Sequence, residues 1–349
     1  MNLNDYNLDH WLRLQPSNNF PYAGKVNYYN RYVLIKEYLD NNIHPHIVTV
    51  TSKLDENIYL TDHGTDHINV VIHRISRLLN VPDFQLSPYE VYLLLVATQL
   101  HDTGHIKSGR EHHEKLSSQI IADLSKLIGE ETVEKRMIWK IAEAHGGRKA
   151  DGEKDKIDDL LGKDCLLSFP VRPQLLAALL RFADELADDF TRTSRYIISN
   201  KSVDKASEVF HYYASVLNSV EIDHIAHEVR INYSLDKDHI ITQYGKPYKD
   251  KVKDVFLIDE IFERIFKMYL ECLYCMRFIP YPIKIETIIA KIEFIEKNSL
   301  SDFRKPIAIK LSQKGYPKIA ATNLYELCPE DLNEGGAIIN GEYLKTTLK

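Results

Sequence analysis

The sequence predicts a mainly α-helical protein, a helical bundle followed by a C-terminal α+β extension that contains a small β-hairpin. Two observations support this fold class. Between residues 66 and 189, five segments repeat apolar residues at helical spacing and are bounded by helix-capping or glycine signals. After about residue 200, the pattern changes to alternating, β-branched runs. We therefore expect an N-terminal helical extension over 1–50, a helical core over 51–200 and an α+β accessory region over 201–349 that packs on the core.

The first two core helices have distinct sequence signals. Residues 66–80 place five aliphatic side chains on one helix face: Ile68, Val71, Ile72, Ile75 and Leu79. The sequence SPYE at 87–90 is a capping box with proline in the first turn, and it predicts a helix over 88–102 that Gly104 ends.

Three more helices complete the predicted core. One covers 110–128 and stops at Gly129, and the next covers 131–145 and stops at a glycine pair. The polar, charged segment that follows, 146–159, is expected to be a surface loop. A proline then opens the last core helix, over 173–189.

The accessory region carries mixed signals. Two alternating runs, 227–235 and 239–244, are separated by the turn-like sequence DKD and predict the hairpin. A long amphipathic helix is expected over 257–278, whereas 283–296 fits either a strand or a helix. The tail from residue 301 has no strong periodicity.

Composition limits the class of protein. The 349 residues are 44% hydrophobic and 27% charged, which is ordinary for a globular protein, and the net charge of −6 argues against a dedicated nucleic-acid binder. The N-terminal residues lack the pattern of a signal peptide, and no apolar run approaches the length of a membrane span. Four cysteines form no disulfide framework in a chain of this length, so we expect a reduced, cytoplasmic protein. Cys272 and Cys275 form a C-x-x-C pair that fits a buried helix better than half of a zinc knuckle, since no second such pair exists.

Histidines are concentrated in the core. Of 15 histidines, eight fall between residues 63 and 145: His63, His67, His73, His101, His105, His112, His113 and His145. Several of them, the Asp102 that follows His101, and Asp184 lie on different predicted helices. Imidazoles and carboxylates can converge from facing helices on one metal ion, and this ligand chemistry fits Mn, Fe, Ni, Co or Zn better than a thiolate site. The apolar neighbours of Asp184 favour a ligand there, because an unpaired buried carboxylate is costly.

The ordered set resembles a known family. His67, the pair His101-Asp102 and Asp184 resemble the H…HD…D signature of the HD-domain metal-dependent phosphohydrolases. The sequence LHDTGH at 100–105 resembles the form found in deoxynucleoside triphosphate triphosphohydrolases, and RFADELADD at 181–189 resembles the helix that carries the last ligand. The resemblance covers roughly 50–200. Beyond it, the chain more loosely resembles the HD domains of bacterial conflict-system (antiphage) effectors.

The resemblance implies a ligand set and a number of ions. It assigns one divalent metal, a transition metal or Mg²⁺, to His67, His101, Asp102 and Asp184. A second ion, bridged by Asp102, would use His113 and His145. The alternative for these two histidines is that they contact phosphate or cap helices, because a histidine at a helix C-terminus is favourable without any function.

The resemblance also implies roles around the metal. Asp102 would take part in catalysis, and His105 or His112, when protonated, would assist the leaving oxygen. Three residues are candidates for substrate binding: His63, Arg148 and Arg181. Arg181 lies one helical turn before Asp184 and can face the same side, whereas Arg148 belongs to the charged loop and fits simple solvation as well.

Three functions are compatible with these residues. The first is metal-assisted hydrolysis of a nucleotide, with a deoxynucleoside or ribonucleoside triphosphate as substrate and a role in antiphage defence. The second is a phosphodiesterase or nuclease for a cyclic nucleotide or single-stranded nucleic acid, although only a short basic cluster, Lys246 to Lys253, could serve as a groove. The third is a nucleotide-sensing regulatory subunit. The resemblance further implies a homo-oligomer, with a nucleotide activator and a defence-system partner protein as candidate ligands and no membrane association.

Overall fold

The computed structural model describes residues 7–51, 64–104, 113–129, 131–149, 151–188, 203–248, 251–296, 303–313 and 321–347. Of residues 48–51, 113–116 and 125–126, the backbone alone is described. The described residues within Met1–Leu54, His63–Ala187 and Cys275–Lys284 form one compact unit, and those within Asp188–Tyr274 and Ile285–Lys349 form a second.

The first unit is built mainly from helices. They are α1 (Leu8–Arg13), α2 (Tyr28–Asn42), α3 (His44–Thr51), α4 (Thr65–Leu79), α5 (Pro88–Leu100), α6 (His113–Asp123), α7 (Ser125–Ile128), α8 (Thr132–Glu143) and α9 (Pro173–Glu185). A short antiparallel pair, β1 (Asp164–Leu166) and β2 (Phe169–Val171), precedes α9. Helix α9 packs against α4, α5 and α8, and α5 also packs against α4 and α8. These four helices therefore bring their ends close together.

Helix α5 is the most buried element of this unit. Its capping box forms as predicted, because the Glu90 amide donates to Ser87 Oγ at 3.2 Å and Glu90 Oε2 accepts from the Ser87 amide at 2.8 Å. Every residue from Tyr89 to Leu100 is buried. A helix that is apolar on all sides belongs in a core, so α5 delivers its C-terminal end into the interior of the unit.

The other predicted core helices form with small differences at their ends. The segment expected to be one helix over 110–128 is divided at Leu124 into α6 and α7, and residues 110–112 lie outside the described part. Gly129 ends α7 with φ +105°, and a Cβ there would lie 3.0 Å from the Arg31 guanidinium. Glycine therefore serves both the backbone conformation and the packing at this position.

The second unit combines strands and helices. Its strands are β3 (Leu217–Asp223), β4 (Glu228–Asp236), β5 (Gln243–Tyr248), β6 (Lys251–Phe256), β7 (Thr287–Ile295), β8 (Arg304–Ser312), β9 (Asn333–Glu334) and β10 (Ala337–Ile338). Its helices are α10 (Glu208–Val216), α11 (Lys237–Ile241), α12 (Leu257–Cys275), α13 (Leu324–Leu327) and α14 (Gly341–Thr347). The expectation of a mainly helical protein with an α+β extension is confirmed at this level.

A four-stranded sheet lies at the centre of the second unit. Its strand order is β3-β4-β7-β8, with β4 and β7 parallel and the outer pairs antiparallel. Alternate residues of the two central strands are buried: Val229, Ile231, Tyr233 and Leu235 on β4, and Ile288, Ala290, Ile292 and Phe294 on β7. One face of the sheet therefore contributes to the core of this unit.

The predicted hairpin over 227–235 and 239–244 is wrong. Strand β4 pairs with β3 and β7, and β5 pairs with β6. The sequence DKD does not form a tight turn, because the Asp236 carboxylate accepts a hydrogen bond from the His239 amide at 3.0 Å and so begins helix α11. The antiparallel pairs of this unit include β3 with β4 and β5 with β6 instead.

Two open expectations are resolved. The segment 283–296 contains strand β7, and the tail without strong periodicity contains β8, whose buried residues are Ile307, Ile309 and Leu311. Cys272 and Cys275 are buried, as the interpretation as a buried helix predicts. Among the described helices, none has the length and apolar character needed to span a membrane.

Candidate metal centre

The first candidate ligand lies at the start of α4. His67 is in the first turn of this helix, on the same side as Val71, and is 1% exposed. The apolar stripe of α4 is therefore extended towards the N-terminus by an imidazole, which is buried with the aliphatic residues that follow it.

The next two candidates lie where α5 ends. The helix ends at Leu100, ahead of the predicted Gly104, because the Thr103 amide and hydroxyl both donate to the Leu100 carbonyl, at 3.2 and 2.7 Å. His101 Nδ1 lies 2.8 Å from the Thr98 carbonyl oxygen, and both His101 and Asp102 are buried. Since a carbonyl oxygen can only accept, Nδ1 carries the hydrogen, and the neutral ring presents the lone pair of Nε2.

Asp184 approaches these histidines from α9. Its Oδ1 lies 3.1 Å from His67 Nε2 and 3.6 Å from His101 Nε2, and its side chain is 27% exposed. Asp102 Oδ2 lies 3.4 Å from His101 Nε2 and 3.7 Å from His67 Nε2. The two imidazoles therefore each face both carboxylates.

His145 follows the end of α8 and joins the group from another side. Its Nδ1 lies 2.5 Å from the Ala142 carbonyl oxygen, the same arrangement that orients His101. Its Nε2 lies 3.6 Å from Asp102 Oδ1, and its ring packs edge-on against His101 with centroids 4.9 Å apart. Asp102 thus directs one oxygen towards His67 and His101 and the other towards His145.

These residues fit a divalent cation. Donor atoms of His67, His101 and Asp102 all lie within 4.8 Å of one another, which makes this group a candidate metal site among the described residues. Ligands about 2.1 Å from a shared ion lie roughly 3.0–3.4 Å apart, close to the spacings seen here. His101 Nε2 is buried, and within the described part of the chain it makes no hydrogen bond. A coordinated cation would give this nitrogen a partner. The Nδ1 contacts of His101 and His145 with backbone carbonyls are those typical of metal-bound imidazoles.

The electrostatics of the group also favour a bound cation. Burial opposes protonation of His101, but Asp102 and Asp184 outweigh it and raise the pKa of His101 well above its ordinary value. Burial likewise opposes ionisation of Asp184, but the contacts with His101 and His67 hold its pKa well below the ordinary value. The Asp184 carboxylate therefore remains charged beside the two imidazoles, and a cation would balance it without protonating them.

The two arginines predicted to bind substrate have different surroundings. Arg181 is buried, and its Nη1 donates to the Lys154 carbonyl at 3.0 Å, so it anchors the charged loop to α9. Arg148 is exposed, and its Nη1 donates to the Gly152 carbonyl at 2.7 Å within that loop. Their role towards a substrate stays a prediction.

Several predicted site residues cannot be placed. His63, His105 and His112 lie outside the described residues, and of His113, the first residue of α6, only the backbone is described. The assignment of an acid to His105 or His112 and of a second-ion ligand to His113 therefore stays a prediction.

A cleft that sequence reasoning missed is lined by residues from the end of α8 and the charged loop that follows it. Its volume is about 570 Å³, and Ala144, the neighbour of His145, is among the residues that line it. The lining also includes Trp139, four basic side chains and three acidic ones: Lys140, Arg148, Lys149 and Lys156, and Glu143, Asp151 and Asp159. Trp139 and Lys156 fit ordinary helix and loop patterns, so the sequence carries no signal that would have selected them.

Comparison with known families agrees with the geometry. A family model named HD-CE matches residues 58–246, more than half of the 349-residue chain. The chain belongs to the HD-CE family. The HD-CE match includes His67, His101, Asp102, His145 and Asp184, and it confirms the resemblance to HD-type domains. No curated protein and no solved structure matched the chain. An HD-CE domain whose His-His-Asp group could hold a metal ion suggests a metal-dependent hydrolase.

Proposed function

We propose that this HD-CE protein is a metal-dependent phosphohydrolase that acts on a nucleotide, with a deoxynucleoside or ribonucleoside triphosphate as its substrate. The observation that carries the proposal is the convergence of His67, His101, Asp102 and Asp184, with His67 Nε2 only 3.1 Å from Asp184 Oδ1. This arrangement brings imidazole nitrogens and carboxylate oxygens together in one group. One member of the group, Asp184, is partly open to solvent.

Each ligand has a defined task in this proposal. His67, His101, Asp102 and Asp184 hold one divalent cation, and the second oxygen of Asp102 with His145 provides the start of a second site. When bound, the cation lowers the pKa of water to about 7 and neutralises phosphoryl oxygens. The Nδ1 contacts with Thr98 and Ala142 keep His101 and His145 in the tautomer that binds a cation.

The cleft at the end of α8 supports a phosphorylated substrate. Basic side chains contribute positive charge to its lining, although Lys149 lies 2.7 Å from Asp159 and Lys156 lies 3.6 Å from Glu143, and Trp139 contributes an indole ring. Guanidinium and ammonium groups are the usual partners of phosphate oxygens, and an indole is a suitable surface for a base. We propose that His105 or His112 protonates the leaving oxygen and that His63 contacts the substrate.

The choice of a triphosphate rests on the form of the motif LHDTGH. It is tested by incubating the protein with Mn²⁺ and separate panels of deoxynucleoside and ribonucleoside triphosphates, cyclic dinucleotides and single strands. Release of a nucleoside together with triphosphate is expected. Cleavage of the cyclic dinucleotides or strands alone would replace the proposal with a phosphodiesterase or nuclease, and nucleotide binding without turnover would replace it with a sensor.

The metal centre itself is tested with matched aspartate variants. Asp102→Asn removes a charged ligand, so we expect loss of most bound metal by elemental analysis and a fall in hydrolysis of at least about 100-fold. Asp66→Asn is the control, because Asp66 is an exposed residue next to His67 in the same helical turn. If Asp102→Asn kept wild-type metal content and activity, the proposal would be wrong.

The wider biological assignments rest on the resemblance alone. We propose a role in antiphage defence and a homo-oligomeric state, with a nucleotide activator and a defence-system protein as candidate partners. The domain boundaries at residues 50 and 200 likewise stay proposals.

A further inference from the structure

A polar pair outside the ligand set contacts both ligand-bearing helices. Asp40 lies near the end of α2, and His44 is the first residue of α3. His44 is 1% exposed, and its Nδ1 lies 3.0 Å from Asp40 Oδ1. This pair belongs to neither the predicted ligands nor the predicted substrate contacts.

His44 holds the end of α5. Its Nε2 lies 3.0 Å from the carbonyl oxygen of Gln99, two residues before His101. In a regular helix, the Thr103 amide would donate to this oxygen, but here it donates to Leu100 at 3.2 Å. The Gln99 carbonyl is one of the helix-terminal acceptors that need an outside donor, and His44 supplies it.

Asp40 holds the start of α4. The Thr65 hydroxyl donates to Asp40 Oδ1 at 3.1 Å, and Thr65 lies two residues before His67. One carboxylate oxygen therefore receives hydrogen bonds from both His44 and Thr65. Through this oxygen, the segment that carries His67 is connected to the segment that carries His101.

The chemistry of the pair suits a fixed geometry. The Gln99 carbonyl and the Asp40 carboxylate both offer acceptor oxygens, so each ring nitrogen of His44 faces one oxygen and the ring is fixed between them. Partial burial opposes ionisation of Asp40, but the hydrogen bonds from His44 and Thr65 outweigh it and lower the pKa of Asp40.

We propose that Asp40 and His44 form a polar clamp that sets the separation of His67 and His101, so that both are positioning residues for the metal centre. This inference rests on the proposed metal centre. Removing a hydrogen bond that orients a metal ligand commonly lowers metal affinity by about 10- to 100-fold. The clamp acts one step further out, on the backbone next to each histidine.

The test measures Mn²⁺ affinity by calorimetry on metal-free protein, together with the visible spectrum of the Co²⁺-loaded form. His44→Gln and Asp40→Ala are expected to weaken Mn²⁺ binding about 10-fold or more and to shift the Co²⁺ bands, because the ligand geometry changes. Asp40→Asn keeps an acceptor oxygen and should recover much of the affinity. Thr65→Val should weaken binding a few-fold, whereas Thr65→Ser, which keeps the hydroxyl, should not.

Two controls separate positioning from general stability. His46→Gln changes an exposed histidine on the same helix as His44 and should leave Mn²⁺ affinity and the Co²⁺ spectrum unchanged. Tyr89→Phe removes a buried hydrogen bond at the far end of α5, so it should lower thermal stability without altering either readout.

The outcomes are distinguishable. If the wild type binds Mn²⁺ and His44→Gln and Asp40→Ala bind it equally well, the clamp is wrong while the metal centre stands. Equal loss of affinity in Tyr89→Phe would also overturn the clamp, because loss of stability alone would then explain the effect. If the wild type itself binds no Mn²⁺, the metal centre is wrong and the clamp falls with it.

Discussion

Two clusters of ionisable side chains are buried in the first unit, and they differ in the groups that balance the charge of their carboxylates. In one, the Glu134 carboxylate accepts from Tyr89 Oη at 2.6 Å, Tyr28 Oη at 3.2 Å and Arg31 Nη1 at 3.1 Å. In the other, the metal centre, Asp102 and Asp184 face imidazoles whose Nδ1 atoms are occupied by backbone carbonyls in His101 and His145.

The difference separates a structural cluster from a candidate site. The Glu134 cluster contains its own cation and its own donors, so it is complete without a ligand and stabilises the contact between α2, α5 and α8. The candidate metal centre combines two carboxylates with three imidazoles, and a cation from outside the chain would complete it. Burial of charged groups alone would not have separated the two.

The sharpest test of this comparison is Glu134→Ala. It leaves Arg31 without its carboxylate and two buried hydroxyls without their acceptor, so we expect the free energy of unfolding to fall by about 3 kcal/mol. Urea denaturation measures this loss. Mn²⁺ affinity should remain that of the wild type, and Glu131→Ala, at a half-buried residue whose carboxylate accepts only from Tyr22 Oη among the side-chain bonds described, should cost less, about 1 kcal/mol. A large loss of affinity in Glu134→Ala would show that the clusters are coupled.

Mn²⁺ should stabilise the protein through the candidate metal centre and not through the Glu134 cluster. At a free Mn²⁺ concentration 100 times its Kd, the wild type should gain about 2.7 kcal/mol of stability, since binding to the folded state alone shifts the unfolding equilibrium. Asp184→Asn should remove most of this gain, whereas Glu134→Ala should keep it. Denaturation curves with Mn²⁺ and with a chelator measure both. A metal-dependent gain that survives in Asp184→Asn would contradict the assignment of Asp184 as a ligand.

Removing single hydroxyl groups compares the hydrogen bonds of the Glu134 cluster by their contribution to stability. Tyr89→Phe should lower the free energy of unfolding by about 1 kcal/mol, because its hydroxyl makes the shorter contact with Glu134 Oε2. Tyr28→Phe should cost less, since its contact with the same oxygen is longer. Denaturant unfolding of the two variants gives the order, and the reverse order would contradict the geometry.

The smallest expected effect is the pH dependence of the Glu134 cluster. Burial, which outweighs the hydrogen bonds and the charge of Arg31, raises the pKa of Glu134 above its ordinary value of 4.5. A raised pKa favours the protonated carboxyl in the folded state. The contribution of Glu134 protonation to the free energy of unfolding is therefore fully present below pH 4.5 and is lost as the pH rises through the folded-state pKa. The stability of Glu134→Gln relative to the wild type should therefore increase with pH across that interval. A relative stability that decreased with pH would mean that the pKa is lowered instead.

The sequence predicted much of the metal centre because its residues carry local signals. His67 and Asp184 stand on helices, and His101 and Asp102 directly follow one; these helices were recognisable from caps and periodicity, and their apolar faces pack against one another. The capping box at Ser87 formed as expected for the same reason, since both of its contacts lie within four residues.

The sequence could not predict features that depend on distant partners. The parallel pairing of β4 with β7 joins strands that are far apart in the chain, and no local pattern distinguishes it from a hairpin with the next run. Asp236 is equally suited to a turn and to an N-cap, and the structure selects the N-cap. The contacts of Asp40 and His44 likewise reach residues as far away as Gln99, so neither residue stands out in the sequence.

The complete burial of α5 has a consequence for the timing of metal capture. Its backbone amides, shielded along the whole helix, should be among the slowest in the unit to exchange with solvent deuterium. His101 and Asp102 follow directly from this helix, so these two candidate ligands would be ordered before a cation arrives and would lose little conformational entropy when it binds. Asp184, with 27% of its side chain exposed, is the most solvent-accessible of the four candidate ligands, so a cation would enter and leave past this residue.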